Sequence, residues 1–522
     1  MGVNMAKARP KRRPTRRVTV QKPVAKPPQT KNSIRIRMYR QGLGDCFLVG
    51  LPKDDHSLFW MMIDCGVILG TKDPETKMKA VVKDIIQQTT GRIDLLIVTH
   101  EHWDHLSGFI QAQDLFNAND QRGTSGKLSI EEIWFAWTED PNDELAKSLR
   151  HDREQRLQKL TAFVGAMSRP QTLSRDDEET RADVSRMTDG IAEVLSFFGA
   201  REDKKSANST TAALDFVRTL SNKIRYCRPA DEPKILPEVP GARIYVLGPP
   251  HEQTMLRKTD SKTEVYHLAD AGAALSFFAA AAQALEPVAE DENREEVRDE
   301  FDRNQPFDCA YRRSLDVLRT DLAQGNQPVD AIWEFFYRYY FGKTPDLIPG
   351  DQSWRRIDTT WFDSAAEFAL QLDSATNNTS LVLAIELIKS GRVLLFVGDA
   401  QAGNWLSWQD LSWKIGDKKV TGADLLQRTH FYKVGHHGSH NATLKSKGLE
   451  LMPTDDFVAF IPVDHKMALK KGWAKMPLPK LVDELELRTK GRLVRADQPY
   501  EGPHFPALSQ SDLFHEWQVS ID

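Results

Sequence analysis

Three histidines and an aspartate fall within six residues, His100-Glu101-His102-Trp103-Asp104-His105, spaced His-x-His-x-Asp-His. Neutral imidazoles and carboxylates are the donors that zinc prefers, and a catalytic zinc site keeps one position open for water. The spacing suits a loop wrapped around two ions, with His100 and His102 turned to one and Asp104 and His105 to the other. Two later segments offer donors of the same kind. Arg392–Ala400 is an apolar run with Gly398-Asp399 near its end, which makes Asp399 a candidate bridge, and Thr429–His440 carries Gly435-His436-His437-Gly438-Ser439. Glycines on either side let paired histidines approach a ligand closely and leave backbone N–H groups for an anion. Two ions about 3.5–4 Å apart lower the pKa of a water between them and neutralise charge building on a phosphoryl or acyl oxygen. The chemistry read here is therefore hydrolysis without an organic cofactor.

These residues sit at the ends of apolar runs that must position them. Leu95–Val98 is too short for a helix and too apolar for an exposed edge, so it reads as a strand covered on both faces. Ile34–Met38 alternates at period two, Gly42–Val49 is a glycine-punctuated turn leading into a strand, and Phe59–Gly66 forms a third strand that delivers Asp64 to a sheet end. Asp64 either orients a metal ligand through a hydrogen bond or caps a turn. Residues 76–90 have helical spacing, Ile130–Trp137 is a strand, and residues 139–225 are a mostly helical insertion whose apolar stripes are core packing. Ala242–Leu247 is another strand, followed by Pro249-Pro250-His251, where His251 is either a further ligand or a surface histidine. A second insertion, 252–375, is helical at Ala271–Leu285 and Ile332–Tyr340, and its aromatics fit a lid or ordinary packing equally well. The strand pattern resumes at Asn377–Ile385 and continues in the runs Arg392–Ala400 and Thr429–His440 and in a strand at Phe457–Val463, followed by a helix at Leu478–Leu487 and a last edge at Leu493–Arg495.

The 522 residues allow a sizeable core, and 40% hydrophobic with 28% charged residues is ordinary for a globular chain. Four scattered cysteines without a CxxC pair suit a reducing compartment and a cytoplasmic protein. The most apolar window, Ala271–Ala282, falls short of the roughly 20 residues a membrane span needs, so no membrane is expected. Charge is uneven: residues 1–32 hold ten Lys or Arg and no acid, which against a net −4 leaves −14 on the remainder. This proline-containing basic arm lacks the apolar residues that would offset ordering entropy and is expected to be disordered. It is either a tether for single-stranded nucleic acid or a solubilising tail, with an organellar transit peptide less favoured. A broad polynucleotide groove would be basic, and the acidic body argues mildly against one.

The series of strands and site residues resembles the metallo-β-lactamase superfamily, and within it the soluble hydrolase domain of ComEC-type competence proteins. The resemblance rests on Gly42–Val49, Ile63–Gly66, the His100–His105 segment, Asn378–Leu383, Leu394–Asp399 and Val434-Gly435-His436-His437-Gly438-Ser439. It implies an α/β fold, a metallo-β-lactamase αββα sandwich with helical insertions, over residues 33–522. It also implies two divalent metal ions, zinc by preference with manganese or iron as alternatives. In that reading His100 and His102 hold the first ion, Asp104 and His105 the second, Asp399 bridges them, and His437 completes the ligand set of the second ion. His436 then binds the scissile phosphate or protonates a leaving group, although the two neighbours could exchange roles, and His251 stands where the superfamily supplies a further histidine. The expected activity is a metal-dependent phosphodiesterase or nuclease acting on an anionic phosphodiester. Hydrolysis of a lactone, thioester or amide on the same site, or partner binding on a hydrolase scaffold, are the alternatives. Met476-Pro477 stands where the family often has His-Pro.

Overall fold

A computed structural model describes residues 33–117, 126–167, 191, 195–199, 209–258 and 372–520. The basic arm, most of the 252–375 insertion and the helices expected within it lie outside the described residues. The chain begins with an antiparallel meander, β1 (Ser33–Tyr39), β2 (Phe47–Pro52) and β3 (Leu58–Ile63). Helix α1 (Pro74–Thr89) then leads to β4 (Arg92–Val98), which runs parallel to β3. After α2 (Trp103–Gln111) come β5 (Ser129–Ala136), α3 (Glu144–Met167), α4 (Thr210–Arg218) and β6 (Ile224–Cys227). The described parts of the first insertion are thus largely helical, as the sequence predicts.

A second sheet is built next, from β7 (Lys234–Ile235), β8 (Ala242–Gly248), β9 (Val382–Leu387), β10 (Val393–Phe396), β13 (Thr429–Lys433), β14 (Val458–Ile461) and β15 (Leu493–Arg495). Between β8 and β9 lies the short α5 (Gln253–Leu256). Between β10 and β13 lie α6 (Ala402–Ser407), a two-stranded ribbon β11 (Ser412–Ile415) and β12 (Lys418–Thr421), and α7 (Gly422–Gln427). Helices α8 (His465–Lys470) and α9 (Pro479–Thr489) precede β15. Leu493–Arg495 is an edge as expected, but it is not the last strand. The chain returns to the first sheet through β16 (Leu508–Gln510) and β17 (Phe514–Ser520), giving the order β16-β17-β1-β2-β3-β4-β5-β6. β17 pairs with β1 along its whole length, from Ser33 opposite Ser520 to Tyr39 opposite Phe514.

The two sheets face each other across one apolar layer and carry helices on their outer faces. Leu95 and Ile97 of β4 point inward with Ile36, Val49 and Met61, and meet Ile244, Leu383, Phe396, Phe431 and Phe460 of the second sheet. Their neighbours Leu96 and Val98 point outward, against Val81, Val82 and Ile85 of α1 and Leu106 and Phe109 of α2. On the far side, Leu395, Tyr432 and Ala459 pack against Trp405, Trp408, Leu425 and Leu485. Covering on both faces is why Leu95–Val98 of β4 reads as an unbroken apolar run. Each such Leu or Ile stabilises the fold by about 1.5–3 kcal/mol. Among the described residues no helix is long and apolar enough to cross a membrane.

His430 on β13 is buried against Trp517, with ring centroids 5.3 Å apart, and its Nε2 has no hydrogen-bond partner. Burial, and then the nearby Arg392, holds its pKa down at about 4 from the usual 6.5. The folded state therefore binds fewer protons than the unfolded chain. The resulting stability is complete above about pH 6.5 and is lost as the pH falls toward 4. His430→Phe keeps the ring contact and removes the titrating group, so thermal melts should show a smaller drop in Tm between pH 7 and pH 4.5 than in the wild type.

Candidate metal centre

The site lies where β3, β4, β10 and β13 end, and a set of close backbone contacts holds it there. A Cβ on Gly44 would lie 2.6 Å from the Asp104 carbonyl oxygen, and one on Gly66 would lie 2.3 Å from the same peptide group. Only glycine permits that approach. It brings Asp45 N–H to Asp104 O at 3.0 Å and Cys65 N–H to His105 O at 2.8 Å. The sequence suggests a loop for this segment, but Asp104 and His105 occupy the first turn of α2. Leu106 and Phe109, three residues apart, anchor that helix on the sheet, and a carboxylate in the first turn is favoured by the helix dipole. At the other end, His436 and His437 both adopt positive φ, 41° and 52°, a conformation that costs energy for non-glycine residues.

Asp104, His105, Asp399 and His437 are fully buried and bring ligand atoms within 4.8 Å of one another. His437 Nε2 lies 2.8 Å from Asp104 Oδ2 and 3.8 Å from Asp399 Oδ2, while His105 Nε2 lies 3.1 Å from Asp399 Oδ2. Each imidazole has its other nitrogen committed. His105 Nδ1 donates to Asp64 Oδ2 at 2.8 Å, and His437 Nδ1 donates to the Pro462 carbonyl at 2.6 Å. Such contacts fix the tautomer and aim Nε2 inward. Asp64 is thus an orienting carboxylate, further held by Thr99 N–H at 2.8 Å and Thr99 Oγ1 at 2.7 Å. Because the Thr99 hydroxyl gives its proton to Asp64, it accepts from His100 Nδ1 at 3.0 Å, which leaves His100 Nε2 as the free lone pair. That nitrogen faces His102 Nδ1 at 3.0 Å.

His436 and His437 do different things. His436 Nδ1 meets the Gln401 side-chain amide at 3.0 Å and Ser439 Oγ at 2.9 Å, and Asn441 in turn donates to Gln401 at 2.8 Å. With the amides so oriented, Gln401 donates to Nδ1, the hydrogen is on Nε2, and that atom is a buried donor without a partner. Of the two neighbours, His437 is the one placed to ligate. His251, by contrast, is not brought to this group. It is 45% exposed, sits 3.0 Å from Asp143 and stacks on Trp137 at 4.2 Å, because the chain turns outward after β8. The structure makes it a surface ion-pair partner.

Electrostatics separate the histidines. Burial opposes charging at His105 and His437, but Asp399 and Asp104 overcome it and raise both pKa values. Burial dominates at His100, well below its usual value, at His102, lowered to about 3, and at His436, lowered to about 4, so these three are neutral. Against burial, the Lys433 ammonium and the two charged histidines keep Asp399 well below the usual carboxylate range. Lys433 is the buried cation of the site: it pairs with Asp45, donates to Gly398 O at 2.6 Å and reaches Asp399 Oδ1 at 3.1 Å. His436 N–H also donates to Asp399 Oδ1, at 3.0 Å, so only Oδ2 of that carboxylate faces the cluster. Buried atoms left without a hydrogen-bond partner include Asp104 Oδ1, His105 Nε2, Asp399 Oδ2, His102 Nε2 and Asp373 Oδ1. Such a convergence of orphaned lone pairs fits a cation. So does the charge: the carboxylates of Asp45, Asp64, Asp104 and Asp399 outnumber the Lys433 ammonium and the two charged histidines.

Comparison with protein-family models, with curated proteins and with solved structures found no match for this chain. Sequence reasoning passes over Asp45, Lys433, Gln401 and Asp373. A lysine closing an apolar strand is a signal for Lys433, whereas Asp373 has no ligand-type neighbour to mark it. Phe197, Phe198 and Trp473 also escape it: Phe198 lies 4.9 Å and Phe197 5.4 Å from the His102 ring, and Phe197 stacks on Trp473 at 4.9 Å.

Removing the ammonium should expose the cost of its partners. Lys433→Met leaves Asp45 and Asp399 buried and unpaired, and chelator-treated protein should lose about 3–5 kcal/mol in urea denaturation. Adding Asp45→Asn to that variant should recover part of the loss. An unchanged midpoint for Lys433→Met would show that the pair carries no such weight.

Proposed function

We propose that this chain is a metal-dependent hydrolase of the metallo-β-lactamase type, acting on a phosphodiester through two divalent metal ions, zinc by donor preference. The observation that carries the reading is the closed set Asp104, His105, Asp399 and His437, whose ligand atoms lie within 4.8 Å of one another and in which Asp104 Oδ1, His105 Nε2 and Asp399 Oδ2 have no hydrogen-bond partner. Bound ions would supply an activated water and neutralise charge on the reacting centre. The helix–sheet–sheet–helix layering and the placement of these residues at strand ends support the resemblance to ComEC-type hydrolase domains. The His100 Nε2 and His102 Nδ1 pair supports a first ion beside the second.

The chain's own residues then have distinct tasks. Asp64, Thr99 and the Pro462 carbonyl hold three imidazoles in ligating orientation. Lys433 keeps Asp399 ionised and takes up one of its oxygens. His436 presents Nε2–H as a neutral donor, which suits hydrogen bonding to a phosphoryl oxygen and favours a phosphodiester over an uncharged lactone, thioester or amide. The Phe197–Trp473 stack beside His436 forms an apolar wall suited to a flat substituent such as a base.

Protein prepared without chelator should hold about two transition-metal ions per chain by elemental analysis. Asp104→Ala should lower turnover of a generic aryl phosphodiester by roughly 100-fold or more while preserving the melting profile. No metal in the wild type, or undiminished turnover in the variant, overturns the reading, and a panel of lactones, thioesters and amides decides the substrate class. If the arm tethers single-stranded nucleic acid, deleting residues 1–32 should flatten the plot of log affinity against log salt by roughly 0.7 per phosphate released. Turnover of the small phosphodiester should stay the same.

A further inference from the structure

Asp373 lies at the C-terminal end of the second insertion, just before the turn into β9, far in sequence from every other acid of the site. It is 6% exposed. Its Oδ2 accepts from Asn377 Nδ2, one helical turn on, at 3.0 Å. Its Oδ1 has no hydrogen-bond partner and points at His102 Nε2, 3.7 Å away, which is itself buried and without one. Two buried polar atoms that face each other without any hydrogen-bond partner are costly unless one carries a hydrogen for the other.

The tautomers decide which one does. Thr99 gives its hydroxyl proton to Asp64, so His100 must donate through Nδ1, and only its Nε2 can bind an ion. Nε2 of His100 faces Nδ1 of His102. An ion shared by these two histidines therefore takes the Nδ1 lone pair of His102, and the hydrogen of that ring must then be on Nε2, the atom turned toward Asp373. A carboxylate receiving the outer N–H of a metal-bound histidine fixes the ring and strengthens its donor nitrogen. Resting on the hydrolase reading above, we infer that Asp373 is the positioning residue of the first metal ion: it holds His102 in its ligating tautomer and does not itself touch the metal. His102 then corresponds to His105, which is held by Asp64 in the same way. The first ion's site thereby depends on a residue delivered from the end of the insertion.

The test is zinc binding by the full-length chain, read by competition with a chromophoric chelator and by elemental analysis after dialysis. Asp373→Ala should weaken one of the two zinc ions by about 10–100-fold and leave the other at wild-type affinity. Asp373→Asn, isosteric and still able to accept the Nε2 hydrogen, should restore most of that affinity, and it guards against misfolding of the alanine variant. His102→Ala should lose the same ion altogether. Wild-type affinity for both ions in Asp373→Ala overturns the inference. So does an Asp373→Asn variant that loses the ion as fully as His102→Ala, since that would make Asp373 a direct ligand. A wild type that binds no zinc removes the hydrolase reading itself, which separates the two failures.

Discussion

The ion pairing of Lys433 with Asp45 and Asp399 is the contact on which the rest of the centre depends. Asp45 comes from the turn before β2 in the first sheet, and Asp399 from the end of β10 in the second. The ammonium at the end of β13 thus ties the two sheets together where their strand ends meet. All three of its hydrogens find acceptors, with Gly398 O as the third, which is the condition under which a buried lysine is tolerable. Without it, Asp399 Oδ1 would keep only the His436 N–H. With it, one oxygen is taken up and the other is directed at His105 and His437.

Buried ligand-type atoms gathered with few hydrogen-bond partners are costly, and the surrounding structure is arranged to hold them together. Two glycines clamp the Asp104 peptide, both paired histidines sit at positive φ, and Asp64 takes two hydrogen bonds from Thr99. None of these features is needed to pack the sheets. Their cost is borne by the apolar layers on either side, where β4 contributes side chains to both faces. Stability and chemistry are supplied by different residues of the same strands, which lets a strained turn persist at the end of a well-packed element.

Much of this could be read from the chain because its signals are local. Strand β4 is apolar without interruption from Leu95 to Val98, and the His-x-His-x-Asp-His cluster follows it closely. Gly398-Asp399 and Gly435-His436-His437 repeat that arrangement of strand end and ligand. What could not be read depends on contacts between distant segments. Asp373 and Phe197 are unremarkable in their own surroundings. His251 has a promising position after a strand, but the chain direction beyond β8 takes it to Asp143. β17 is hard to read because its core-facing set, His515, Trp517 and Val519, begins with a polar residue, and because its buried acid Glu516 has its partners Arg35 and Arg37 at the opposite end of the sequence, at 2.8 Å and 2.7 Å.

The pairing of β1 with β17 bears on how the molecule is made. β1 is the first described strand to leave the ribosome and β17 the last, so one side of β1 lacks its neighbour until β17 has been made. An unpaired strand invites association with other chains. Arg35 and Arg37 place positive charge on that waiting edge, where it discourages the pairing of one nascent copy with another. Glu516 later neutralises them within the completed sheet. The same separation gives the first sheet a contact that spans nearly the whole chain, and long-range pairings of this kind slow folding. Completion of the sheet therefore waits for β17, and the arginines of β1 guard the interval before it.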